Sequence, residues 1–115
     1  MAVAKLLRDY GRPEWLWFHV PNGEKRDARA GAKLRAMGVR PGMPDLALVS
    51  PTGLLHALEL KRIGESLTDD QRDFEAWCNA SDVPHVVAYT IEEVLAALDH
   101  WGALRIKLAG GSTDG

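Results

Sequence analysis

Between Asp45 and Lys61 the chain reads Asp-Leu-Ala-Leu-Val, then Ser-Pro-Thr-Gly, then Leu-Leu-His-Ala-Leu-Glu-Leu-Lys. Two apolar runs of strand length on either side of four turn-forming residues predict a β-hairpin. Centring it on Thr52 sets Val49 against Leu55, Ala47 against Ala57 and Asp45 against Glu59. Strand alternation then places Asp45, Ala47, Val49, Leu55, Ala57, Glu59 and Lys61 on one face, with Leu46, Leu48, Leu54, Leu58 and Leu60 on the other. The leucine face is the expected core.

The rest of the chain supplies elements to cover that hairpin. A helix is expected from Ala2 to Arg8, stopped by Gly11 and Pro13, and a strand over the aromatic run Trp15 to Val20, closed by Pro21-Asn22-Gly23. Helix formers run from Ala28 to Met37 and end at Gly38. Thr68-Asp69-Asp70-Gln71 has the form of a capping box, followed by Phe74, Trp77 and Cys78 at the spacing of one helix face. His85 to Tyr89 is a short, nearly continuous apolar strand. A second box, Thr90 to Glu93, opens a helix carrying Val94, Leu95, Leu98 and Trp101, which Gly102 ends. The order α, β, α, β, β, α, β, α predicts an α/β fold with a mixed central β-sheet flanked by helices.

A chain of 115 residues has room for one core. One domain over residues 1–109 is therefore expected, with a Gly-rich polar tail over 110–115 that is expected to be disordered. The sequence has no run of 18 or more apolar residues and no signal-peptide pattern at its start. Its single cysteine, Cys78, excludes an internal disulfide and a thiolate zinc site, so a cytoplasmic setting is expected. The formal charge is only -2, but it is unevenly spread: residues 1–44 hold nine Lys/Arg against four Asp/Glu, and 45–115 hold five against twelve. Two descriptions fit this: an uneven solvated surface, or a phosphate-binding patch beside an acidic pocket that takes a cation.

The chemistry centres on Asp45 and Glu59. Directly opposed residues have Cβ atoms roughly 4.5–5.5 Å apart, and like charges there destabilise a sheet unless something compensates. A divalent cation would. Mg²⁺ prefers oxygen ligands and commonly uses one or two carboxylates, leaving waters that a phosphodiester oxygen can displace. Lys61 points to the same side, where it could orient or deprotonate an attacking water or neutralise charge on a phosphate. The small Ala47 and Ala57 are expected to leave space beside the acids. The competing description has Asp45 ending a turn after Pro44, with Glu59 and Lys61 at an exposed strand end; the leucines flanking Glu59 weigh against it.

With these residues in place the sequence resembles the PD-(D/E)XK nuclease superfamily, through Pro44-Asp45 and Glu59-Leu60-Lys61. More closely it is similar to the VRR-NUC family, through His19-Val20-Pro21-Asn22-Gly23, the run Gly38 to Leu46, Glu59-Leu60-Lys61, and Ser66-Leu67-Thr68 with Gln71, over about residues 15–101. The resemblance implies a restriction-endonuclease-like core and a DNA endonuclease using Mg²⁺ or Mn²⁺. It implies metal ligation by Asp45, Glu59 and the backbone carbonyl of Leu60, service of the water by Lys61, and a place for Gln71 in the same pocket. It also implies DNA contacts from Asn22, Lys25, Arg26 and Arg62, and a homodimer cutting branched DNA such as a four-way junction. The family's first-helix glutamate has no counterpart between Met1 and Tyr10; Asp9 or Glu14 could stand in for it, although neither is clearly in register. That departure keeps open a non-catalytic DNA-binding or scaffold module, and the metal count with it.

The histidines His19, His56, His85 and His100 share no metal-ligand spacing and are expected to be structural. Trp15 and Trp17 alternate with Leu16 and Phe18. Some of these side chains are expected in the core and others at the surface, where an exposed tryptophan would mark a protein interface.

Overall fold

The computed structural model describes residues 2–21, 28–38 and 40–106. Its elements follow the predicted order: α1 (Ala2–Tyr10), β1 (Leu16–His19), α2 (Ala28–Ala36), β2 (Leu46–Val49), β3 (Leu55–Leu60), α3 (Asp69–Ala80), β4 (His85–Ala88) and α4 (Ile91–Trp101). The four strands form one mixed sheet in sequence order. β1, β2 and β3 are antiparallel, while β4 runs parallel to β3 after the α3 crossover. Residues 110–115, expected as a tail, lie outside the described residues.

The hairpin adopts the expected register, with Leu46 against Leu58, Ala47 against Ala57 and Val49 against Leu55. Its turn is closed by Gly53 N–H donating to the Ser50 carbonyl at 2.8 Å and by Ser50 N–H donating to that of Leu54 at 3.0 Å. Leu46, Leu48 and Leu58 are fully buried and meet Val3 and Leu7 of α1 and Val94 and Leu98 of α4 in one cluster. Fully burying one such side chain contributes about 1.5–3 kcal/mol, so this face holds the sheet in place. Leu54 departs from the expectation. It belongs to the turn rather than the strand and is exposed.

His56 takes a leucine-face position and is buried edge-on between Trp15 and Trp101, with ring centroids 4.8 and 4.9 Å away. Its Nδ1 donates to the Leu54 carbonyl at 2.9 Å. Burial pushes its pKa below the usual histidine value. A neutral ring that satisfies its own donor fits the structural role expected of it.

The second face is covered differently. Ala47 and Ala57 are buried, not open beside the acids as expected. Ala57 pairs with His85, whose ring meets Phe74 of α3 at 5.9 Å. The small side chains therefore admit a helix. Cys78 is fully buried there, but Trp77, expected on the same face, is 53% exposed at its flank. Toward the sheet edge, Trp15 is buried and Trp17 half-buried in the core, while Leu16 (63%) and Phe18 (46%) are exposed on β1.

Candidate active site

Asp45 stands just before β2 and is fixed from both sides. Its backbone carbonyl accepts from Val20 N–H at 2.9 Å and from His19 Nδ1 at 2.9 Å. A carbonyl only accepts, so the His19 proton must sit on Nδ1. Its carboxylate Oδ2 accepts from Leu60 N–H at 2.7 Å. That contact carries the hairpin pairing one step past the last paired residues and sets the Asp45 carboxylate at the end of β3.

The approach to Asp45 is held by Gly42, whose φ is +81°. A Cβ there would lie 2.4 Å from the Asp70 carbonyl oxygen, below any real contact. Glycine is thus required twice over, by its left-handed conformation and by the close approach of the loop to α3. The loop that delivers Asp45 and the helix that delivers Gln71 are packed backbone to backbone.

Glu59 is only 4% exposed. Its Oε2 accepts from Gln71 Nε2 at 3.0 Å. Burial, then the charge of Asp45, push its carboxyl up to about 8, with Lys61 opposing the rise. Gln71 serves the helix with its other end: Oε1 accepts from Thr68 N–H at 2.9 Å while the Thr68 hydroxyl accepts from Gln71 N–H at 3.2 Å. The capping box is therefore present, and its amide also reaches Glu59. The Lys61 backbone N–H donates to the Ala88 carbonyl at 3.0 Å, so β4 continues to hold β3 where the lysine emerges, half-buried.

This donor set suits a divalent cation. One carboxyl is kept from ionising by burial and by its acidic neighbour, an imbalance that a hard cation between the two would relieve. Among the described residues no group of three or more His, Cys, Asp or Glu side chains gathers to hold a metal. Neither stand-in for the first-helix glutamate joins the pair. Asp9 takes the Lys5 ammonium at 2.7 Å. Glu14 is exposed before β1, at the opposite end of that strand from His19.

Of the expected DNA contacts, Arg62 is exposed directly after Lys61, with its backbone N–H donating to Glu65 at 2.9 Å. Asn22, Lys25 and Arg26 lie outside the described residues. The local roles of His19 and Gly42 escaped the sequence reading. Their signal was present in the runs His19 to Gly23 and Gly38 to Leu46, but no strand or helix periodicity links either residue to Asp45.

Comparison with known proteins bears on this geometry. The family described as the VRR-NUC domain matches residues 6–91. The chain belongs to the VRR-NUC domain family. The match runs from within α1 to the first residue of α4, so the two acids, the lysine and Gln71 all lie inside the VRR-NUC region. A solved structure, described as paFAN1 bound to 1nt 5′ flap DNA with gap, is 31% identical with a TM-score of 0.39, covering 50% of this chain and 12% of that one. This chain thus corresponds to a small part of that protein. No curated protein matches.

Proposed function

We propose that this chain is a metal-dependent DNA endonuclease acting at Asp45, Glu59 and Lys61, selective for branched DNA such as four-way junctions. The observation that carries the reading is the paired acids: Asp45 fixed through its carboxylate to Leu60 N–H, and Glu59, buried, fixed to Gln71. Asp45, Glu59 and the Leu60 carbonyl would hold Mg²⁺ or Mn²⁺. When bound, the cation supplies Lewis-acid polarisation of the phosphate and lowers the pKa of water.

The chain's own residues do the positioning. His19 and Val20 hold the Asp45 backbone, so its carboxylate stays aimed at the end of β3. Gln71 keeps one oxygen of Glu59 engaged and so fixes the carboxyl in place. Lys61 stands two residues beyond Glu59, placed to orient or deprotonate the attacking water or to meet charge on the scissile phosphate. Arg62, with Asn22, Lys25 and Arg26, is assigned to the DNA backbone. Hydrolysis would leave 5′-phosphate and 3′-hydroxyl ends.

In this reading residues 1–109 form one nuclease domain, working in the cytoplasm as a homodimer so that two centres reach both strands. Among the described residues no helix is long and apolar enough to cross a membrane. Among the described residues no third acid joins the pair, which favours one second reading, a non-catalytic DNA-binding or scaffold module with the same fold. Incubating labelled four-way junctions, flaps and linear duplex, with RNA duplex as a control, in Mg²⁺ or Mn²⁺ separates them. The nuclease reading expects cutting of branched DNA that Asp45→Ala abolishes; DNA binding by the wild type without metal-dependent cutting favours the scaffold. Junction cleavage by a protein that stays monomeric at working concentration removes the homodimer.

A further inference from the structure

Beside the site, between the loop that carries Asp45 and the helix that carries Gln71, is a cleft of about 260 Å³ lined by Arg40, Pro41 and Met43 of that loop and by Asp70, Asp73, Phe74 and Trp77 of α3. We propose that this cleft holds a single unpaired nucleobase of the DNA, stacked on Trp77. The inference rests on the nuclease reading above and deepens it by naming what the substrate must present near the cut.

Size and shape come first. The cleft is smaller than the roughly 300–1,000 Å³ of sites for drug-sized ligands, which suits one planar ring system rather than a longer segment. Its aromatic wall is ready-made: Phe74 and Trp77 stack with centroids 5.9 Å apart and planes 22° from parallel, and Trp77 is 53% exposed. A large indole left that open on a helix, at the mouth of a cleft, offers the sequence-tolerant surface on which bases stack.

Charge then chooses between base and backbone. Two carboxylates, Asp70 and Asp73, line the cleft, and among the described residues neither takes part in an ion pair. They would repel a phosphate, but they accept hydrogen bonds from ring N–H groups and exocyclic amines, which all four bases supply in some combination. Arg40 stands across the cleft, where its guanidinium can stack on the second face of a base or hold the phosphate that follows it.

Position ties the cleft to the cut. Met43 is two residues from Asp45, Asp70 adjoins Gln71, and the Gly42 contact locks loop and helix together. Trp77 lies six residues along α3 from Gln71, about 9 Å at 1.5 Å per residue. That is one or two nucleotides from a phosphate seated at Glu59. A fully paired duplex has no base free to enter; a flap, a gap or the opened centre of a junction does.

The test is a binding measurement in Ca²⁺, using nicked duplexes that carry a one-nucleotide 5′ or 3′ flap whose residue is either 2-aminopurine or an abasic analogue. The wild type should bind at least one of the 2-aminopurine flaps about 5- to 150-fold more tightly than its abasic counterpart, the worth of one base–aromatic stack, with 2-aminopurine fluorescence quenched on binding. Trp77→Ala, checked for folding by circular dichroism, should lose both the preference and the quenching, and Trp77→Phe should keep most of each. Equal wild-type affinity for base and abasic flaps overturns the inference, as does a preference that survives Trp77→Ala. So does loss of self-association in Trp77→Ala with the base preference intact, which would make the indole a protein contact. A wild type that cuts branched DNA yet ignores the base removes this site and leaves the nuclease standing; one that binds neither probe removes both.

Discussion

Gln71 donates to Glu59 through Nε2 at 3.0 Å while its Oε1 accepts from Thr68 N–H at 2.9 Å, so one amide both starts α3 and holds a carboxyl of the site. Removing it should therefore affect stability and activity separately. Gln71→Ala is expected to lower stability by about 1 kcal/mol, the net worth of a typical hydrogen bond, and to lower cleavage by about 10- to 100-fold, as loss of a ligand's outer partner does. Gln71→Glu keeps the box's acceptor but no amide donor, so denaturant unfolding should return toward wild type without recovery of the cleavage rate. Wild-type cleavage by Gln71→Glu would remove Gln71 from the site.

Glu59→Gln tests whether the buried carboxyl serves function at the expense of the fold. Burial and Asp45 already push its carboxyl up to about 8, so it is largely uncharged in the metal-free protein at neutral pH, and a neutral isostere keeps that state while removing the tendency to ionise in a buried place. The metal-free variant should be as stable as wild type or more so in urea unfolding. Metal-dependent cleavage should fall by at least about a hundredfold, the scale of losing one preorganised electrostatic group. A large loss of stability would point to a purely structural glutamate.

Gly42→Ala should damage the site from outside it. The residue holds φ +81°, and an added Cβ would lie 2.4 Å from the Asp70 carbonyl oxygen. Backbone strain alone is of order 1–3 kcal/mol, and the overlap must also push the loop from α3, carrying Asp45 with it. Gly53→Ala is the control. Its φ is +87° but nothing lies within 4 Å, so it should cost only about 1–2 kcal/mol and leave cleavage unchanged. Equal effects of the two on cleavage would contradict the loop–helix lock.

The buried histidines set a pH dependence. His56 and His85 are both pushed below the usual value of 6.5 by burial, His85 against the opposing pull of Glu75. The unfolded chain then takes up protons first as pH falls, so their contribution is full above pH 6.5 and declines below it. Glu59 runs the other way, because its raised carboxyl makes the folded state keep its proton longer as pH rises from 4.5 toward 8. Thermal unfolding is best followed in Glu59→Gln, where the melting temperature should fall between pH 7 and 5. Ring NMR should find both histidines neutral at pH 6.5. A histidine charged at that pH would contradict its buried environment.

The fold was legible in the sequence wherever one local signal decided an element. The turn over Ser50–Gly53 fixes the hairpin register, and that register puts Asp45 opposite Glu59. The Thr68 and Thr90 boxes fix two helix starts, although Glu93 reaches the N–H of Tyr89 rather than that of its own cap residue. What depends on packing between distant segments was not legible. Alternation marks Ala47 and Ala57 as small but does not say whether a phosphate or α3 fills the space. Helical spacing groups Trp77 with Cys78, yet α3 buries one and leaves the other at the Arg40 loop. His19, 26 residues before Asp45, meets its backbone only because β1 pairs with β2.

The proposed binding of a divalent cation by Asp45 and Glu59 is tested most directly by a crystal soaked in Mn²⁺ and measured for anomalous scattering. A peak is expected between the two carboxylates and the Leu60 carbonyl, lost in Glu59→Gln. A wild-type map without a peak at that position, in crystals whose site is open to solvent, would contradict it.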